Sequence, residues 1–204
     1  MPSDRPAYLS KTAELSDCGI YRWSLSRRWG ASGDPLVWVM LNPSTADADD
    51  DDHTIRRVVG FTHREGYPAA VVVNLWGLRA TDPKDLHARR TAYEPKNIAV
   101  VSSWVRGRDV VVAWGANATE GPAMQRVKLA LQHARSVRCL GLTKGQACNS
   151  GCARVGRQPL HPLRLRSDTP LRPWHLDDEV EIAETRNMID ELLAALCGDA
   201  KGGA

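Results

Sequence analysis

The sequence predicts an α/β fold: a three-layer α/β/α sandwich around a central four-stranded parallel sheet. Two observations carry this. Four short runs, 36–41, 69–75, 110–114 and 137–142, are apolar but for Asn74 and Arg138, and near-continuous apolar runs mark strands buried on both faces, as parallel strands are. Segments of helical period separate them, and strand–helix alternation is the pattern of a parallel sheet covered by helices.

The elements follow in chain order. Tyr21, Trp23 and Leu25 alternate with polar residues over 20–29, which predicts an antiparallel edge strand or hairpin arm added to the sheet. Ile55, Val58, Val59 and Thr62 space a helix over 54–64; Ile98, Val101 and Val105 another over 96–105; Met124, Val127 and Leu131 a third over 121–134. Asp177 or Asp178 can cap a last helix to about Cys197, with Val180, Ile189, Leu192, Leu193 and Leu196 on one face. The chain reads as one domain over 1–204, its core about 20–197, with no repeat and no dividing linker.

Composition excludes several classes. The 204 residues are 43% hydrophobic and include 7 Trp, which is not the composition of a disordered chain. No stretch approaches the roughly 18–20 apolar residues of a membrane helix, and Met1 to Leu15 has no secretory apolar region. Five cysteines read as reduced thiols, so a cytoplasmic protein is expected. Net charge is only +3, but it is unevenly spread. Five aspartates fall within Asp47 to Asp52, whereas His53 to Pro173 holds 20 Lys and Arg against 7 Asp and Glu. That basic stretch reads either as a solvated face or as a footprint for phosphates, nucleic-acid backbone included.

In open α/β sheets ligands bind beyond the carboxyl ends of the strands. The first run leads into Asn42-Pro43-Ser44-Thr45-Ala46-Asp47, the second into Asn74-Leu75-Trp76-Gly77-Leu78-Arg79, the third into Trp114-Gly115-Ala116-Asn117, and the fourth into Thr143-Lys144 with a loop to His161-Pro162-Leu163. Each strand thus delivers a hydrogen-bonding side chain to one edge. Plain readings stand beside the functional ones. Asn42-Pro43 also suits a turn, Asn74 can be satisfied locally, and His161 can be a surface histidine. The Asp run can be a solvated loop or a cation site through its carboxylates. Trp114-Gly115 marks a strand end where backbone or ligand comes close. Cys148 and Cys152 would need two further ligands to hold zinc, so a plain loop and no metal are expected.

These segments, in this order, resemble the uracil-DNA glycosylase superfamily: Asn42-Pro43 after the first strand, Asn74 ending the second, Ala113-Trp114-Gly115-Ala116, and His161-Pro162. The chain is also similar to a narrower group of bacterial and phage domains carrying LNPSTAD, DDxTIRR, NLWxxRATDP, AWG and HPL. Those motifs stand here at 41–47, 51–57, 74–83, 113–115 and 161–163. The resemblance implies a metal-independent, monofunctional DNA glycosylase that flips uracil or a related deaminated or modified base and hydrolyses its glycosidic bond in base excision repair. By that resemblance His161 donates to the base oxygen as charge develops, Asn74 reads the base edge, Pro43 lines the pocket, and Asn42 orients the water with Asp47 as a possible base. His53 or Trp76 would stack on the base, Phe61 falling inside a helix. Arg56, Arg79, Lys144 and Arg157 would contact phosphates. No cofactor is implied. The partner is DNA, single- or double-stranded, uracil-containing or abasic, and the protein a monomer.

The sequence departs from the superfamily in Leu163, where Ser is usual. Its cysteines, Cys18, Cys139, Cys148, Cys152 and Cys197, do not reproduce the spacing of the iron–sulfur branches. Two other readings remain open: a protein that binds modified or abasic DNA without cleaving it, and an enzyme of nucleotide or modified-base metabolism whose acidic run holds Mg²⁺.

Overall fold

The computed structural model describes residues 6–44, 50–79, 95–118, 122–143 and 158–175. The chain divides into two units, 1–174 and 175–204; apart from His175, the second lies outside the described residues, as does the expected last helix. The elements are β1 (Ser10–Leu15), β2 (Arg22–Arg28), β3 (Leu36–Met40), α1 (His53–Arg64), β4 (Ala69–Asn74), α2 (Pro95–Val105), β5 (Asp109–Val112), α3 (Pro122–Leu131), β6 (Ser136–Cys139), a 3-10 turn (Pro162–Arg164) and β7 (Arg172–Pro173).

One mixed seven-stranded sheet runs β1-β2-β4-β3-β5-β6-β7. The four apolar runs form its centre, β4-β3-β5-β6, and pair in parallel. The expected four-stranded parallel sheet is therefore corrected to a mixed sheet of seven, because β1, β2 and β7 extend it antiparallel. Two of these leave no hydrophobic signal: β1 is polar and largely exposed, and β7 is two residues long. Of the two places expected for 20–29, edge strand or hairpin arm, the structure gives the second: β2 pairs antiparallel with β1. It lies between β1 and β4.

Successive residues of the central strands face opposite layers. Val37, Val39, Val71, Val73, Val110 and Val112 pack with α2 and α3 residues such as Val101, Val105, Met124 and Val127. Leu36, Trp38, Met40, Ala70, Val72 and Val111 pack with Ile55, Val58, Val59 and Phe61 of α1. Helices thus cover both faces of β3, β4 and β5, which is why these strands carry no polar alternation, whereas β6 alternates Ser136, Val137, Arg138 and Cys139 and is largely half-buried. The one polar atom of β3's side chains, the Trp38 indole nitrogen, donates to the buried Thr62 hydroxyl at 2.9 Å. Among the described residues no helix is long and apolar enough to cross a membrane.

The amino edge of the sheet is tied by a polar cluster. The Asp109 carboxylate accepts from Arg135 at 2.6 Å, Ser136 at 2.6 Å and Tyr67 at 2.8 Å. The Arg135 guanidinium, with the two hydroxyl donors, holds the Asp109 carboxyl well below the usual carboxylate range against the opposing effect of burial. Such a depressed carboxyl contributes stability above its unfolded value, about 3.9, and loses it as pH falls toward the folded value. Asp109→Asn should therefore cost about 1–3 kcal/mol at neutral pH, and its stability should decline less on acidification below about pH 4. Urea unfolding midpoints across pH would measure both.

Candidate functional site

The chain crosses from β3 to β4 on one side and then to β5 on the other, so the strand order reverses at β3. The carboxyl ends of β4, β3 and β5 flank that reversal, where open α/β sheets bind ligands. Of the sequence-expected residues, Asn42 and Pro43 follow β3, Asn74 ends β4 with Trp76 just after it, and His161 packs against the turn after β5.

After β3 the main chain stays pinned. The Leu75 and Trp76 N–H groups donate to the carbonyls of Met40 at 2.8 Å and Leu41 at 3.0 Å. Asn42, half-buried, donates through Nδ2 to the Pro43 carbonyl at 3.0 Å, and Pro43 is buried. The Ser44 hydroxyl donates to the Asp52 carboxylate. Asp52 is the N-cap of α1, its other oxygen accepting from the Ile55 N–H at 2.8 Å. The loop after β3 is thus folded back onto the start of α1.

Asn74, the last residue of β4, is fully buried, yet neither Nδ2 nor Oδ1 has a hydrogen-bond partner. Leaving a buried donor or acceptor unpaired costs about 1–3 kcal/mol, so this amide is poorly explained as a structural group.

His161 is seated by its neighbours. The Trp114 indole donates to Gln158 Oε1 at 2.6 Å, the Gly115 N–H to the Pro159 carbonyl at 2.8 Å, and the Leu160 N–H to the Gly141 carbonyl at 2.9 Å. The chain before His161 is therefore stitched to the ends of β5 and β6. Gly115 has φ +79°, and a Cβ there would stand 3.3 Å from His161 Cβ. The close approach marked by Trp114-Gly115 is that of the histidine's own backbone segment. From the other side, Arg57 of α1 donates to the carbonyls of Pro162, at 3.4 Å, and Leu165.

The imidazole is held in one state. Burial pushes its pKa down, while the Asp52 carboxylate opposes the shift. The Leu163 N–H donates to Nδ1 at 3.3 Å, which leaves the ring proton on Nε2. His161 is therefore a neutral Nε2–H donor at neutral pH, suited to stabilising an oxyanion.

The other expected residues are placed differently. His53 and Arg56 lie together on the first turn of α1, Arg56 Nη2 3.1 Å from His53 Nδ1. Trp76 packs half-buried against the core beneath α2 and α3. Arg79 donates to the Gly19 carbonyl at 3.2 Å in the β1–β2 connection. Phe61 is core, with the Arg57 and Arg64 guanidiniums over its ring. Asp47, Lys144, Arg157, Cys148 and Cys152 lie outside the described residues. Among the described residues no group of three His, Cys, Asp or Glu is placed to hold a metal ion. Asp51 accepts from Arg27 at 2.7 Å and Tyr8 at 2.6 Å.

Sequence reasoning missed Asp52, whose signal was present: an aspartate three residues before the first apolar helical position is an N-cap pattern. It also missed Asn97. That residue is buried in the first turn of α2 and donates through Nδ2 to the carbonyls of Asn74 at 3.0 Å and Leu75 at 3.2 Å. Nothing in the sequence separates it from a solvated helix residue.

Residues 22–163 match the model of a family described as "Protein of unknown function (DUF1643)", a span that takes in all five motif segments. No curated protein and no solved structure matches the chain.

Two outcomes follow from the geometry. Asn74→Leu removes an unpaired amide at similar volume and should raise stability by about 1 kcal/mol, read as a higher thermal midpoint; a structural amide would give a loss. Because His161 is neutral in the fold, the unfolded chain binds the extra proton and stability falls as pH drops below about 6.5. His161→Gln should shrink the difference between urea midpoints at about pH 7.5 and about pH 5.

Proposed function

Since the chain belongs to the DUF1643 family, whose description assigns no activity, we propose a function from the site: a DNA glycosylase hydrolysing the bond between deoxyribose and uracil or a related deaminated or modified base. The observation that carries this reading is Asn74, a wholly buried amide with an unmatched donor and an unmatched acceptor. Such an amide is complementary to the Watson–Crick edge of a base, which offers the reverse pair.

The chemistry divides among three strand ends. β4 and β5 lie on either side of β3, so the ends that carry Asn74 and seat His161 are two strand spacings apart, about 10 Å. A flipped base held there has its edge on Asn74 and an oxygen toward His161 Nε2–H. As the glycosidic bond breaks, its electron pair moves onto the base, and the His161 donor stabilises the resulting anion without itself being ionised. Asn42 orients the water that adds to the sugar carbon. It cannot take the proton, which leaves Asp47 as the candidate acceptor. Cations near this edge, the half-buried Arg56 among them, contact phosphates and make binding salt-dependent. The likeness to the uracil-DNA glycosylase fold, a monomeric state, a cytoplasmic location and independence of metal or cofactor belong to the same proposal.

One observation favours a second reading, binding without cleavage. Of the three described carboxylates just before α1, the two nearest the helix are engaged, Asp51 by Arg27 and Tyr8 and Asp52 by Ser44 and Ile55. Neither is poised as a base, and the same engagements weigh against a magnesium clamp built on them.

The test is base release in EDTA from labelled DNA carrying one uracil, with xanthine, hypoxanthine and 5-hydroxymethyluracil in parallel, followed by alkaline cleavage of abasic sites. Release should occur from at least one base, and His161→Ala or Asn74→Ala should slow it about 10²–10³-fold. No release by the folded protein overturns the glycosylase. Retention of modified or abasic DNA in a gel shift would then select the binding reading, and a reaction restored by Mg²⁺ on a nucleotide the metabolic one.

A further inference from the structure

Pairing of β4 with β2 ends where Leu25 meets Val72. Beyond it, the Arg22 N–H reaches the Gly77 carbonyl at 2.9 Å. The stretch between holds Asn74, and in it the carbonyls of Asn74 and Leu75 take their hydrogen bonds from the Asn97 side chain rather than from a strand. Both contacts are acceptors, so only the NH₂ side of Asn97 can face them, and its rotamer is fixed. Its Oδ1 is left buried and without a partner.

The same stretch is confined from a second direction. A Cβ on Gly77 would lie 2.6 Å from the Trp23 ring and 3.3 Å from Asn97 Oδ1. Main chain 74–77 is therefore clamped between the first turn of α2 and Trp23. The Asn74 side chain has no hydrogen bond of its own, so its placement depends on the backbone beneath it.

We infer that Asn97 is the positioning residue for Asn74, its amide substituting for the missing strand partner and so fixing the strand end that presents the base-reading amide. This rests on the reading of Asn74 as the group that contacts the base. Asn97 itself touches no substrate. It acts by holding two carbonyls, which preorganises Asn74 where an unheld strand end would sample several orientations.

The inference can be tested on the full chain, ¹⁵N-labelled, with Asn97→Ala compared to the wild type. The Asn74 side-chain amide resonances, identified by their loss in Asn74→Leu, should shift or broaden. The Leu75 and Trp76 main-chain amides should exchange about tenfold faster, while the Trp38 indole resonance, held by Thr62, stays in place. On uracil-containing DNA, kcat should fall about tenfold with KM within about twofold, since phosphate contacts are untouched. Asn97→Ser keeps one donor and should recover part of both effects; it also serves if the alanine variant does not fold. Unmoved Asn74 resonances with unchanged exchange overturn the inference, as does a loss of activity that tracks only a lower thermal midpoint. A wild type that releases no base overturns the glycosylase reading instead, and the resonance and exchange data then decide the role of Asn97 alone.

Discussion

The three innermost strands, β4, β3 and β5, are dry on both faces past Asp109, and the rest of the molecule is arranged around that constraint. A strand with helices above and below tolerates polar side chains inside it only where a partner is built in. Trp38 has Thr62, and the buried Arg27 has Asp51. Polar chemistry is otherwise displaced to the strand ends. Against this background Asn74 is an exception, fully buried with its amide unmatched. Burying each valine of β4 is worth about 1.5–3 kcal/mol, and Val71, Val72 and Val73 are all buried. The strand can therefore carry one unpaired amide at about 1–3 kcal/mol and still hold together.

Two glycines let the layers around that edge close. At Gly115 a positive φ and the approach of His161 act together, so the turn after β5 and the seat of the histidine are one device. At Gly77 the Trp23 ring occupies the place a side chain would take. Both draw a segment remote in sequence against a strand end, one from the loop after β6 and one from the β2 hairpin. The result is a carboxyl edge whose main chain is held from several elements, with the Asn74 amide and Asn97 Oδ1 among its unpartnered buried groups.

The acidic run illustrates how one sequence feature divides into separate physical jobs. Asp51 joins a largely buried ion pair with Arg27, also accepting from Tyr8. Such a pair adds little net stability, but breaking it is costly, so it fixes geometry. Asp52, its neighbour, caps α1 and holds the loop after β3 through Ser44. It also lies near enough to His161 to oppose the fall in the imidazole pKa. Negative charge concentrated in sequence thus serves as an anchor on one side and a cap on the other.

By itself the sequence determined the class of fold, because burial on both faces writes short, nearly unbroken apolar runs and these alternate with segments of helical period. It placed the four parallel strands and three helices to within a few residues, and it brought Asn42, Asn74 and His161 to one sheet edge, since parallel strands separated by helices must all end on the same side. It could not show β1, β2's interior place or β7, whose pairing is made by backbone hydrogen bonds that polar or very short segments form as readily as apolar ones. Nor could it separate Asn74 from the other candidates: an amide is spelled the same whether its partners are water, backbone or nothing. Only the tertiary structure decided that Asn74 is buried and unmatched, that His53 and Arg56 pair with each other, that Trp76 packs half-buried against the core, and that Asn97 holds the strand end. Each of these depends on which distant segment comes within hydrogen-bonding distance, and that is a property of packing rather than of spacing along the chain.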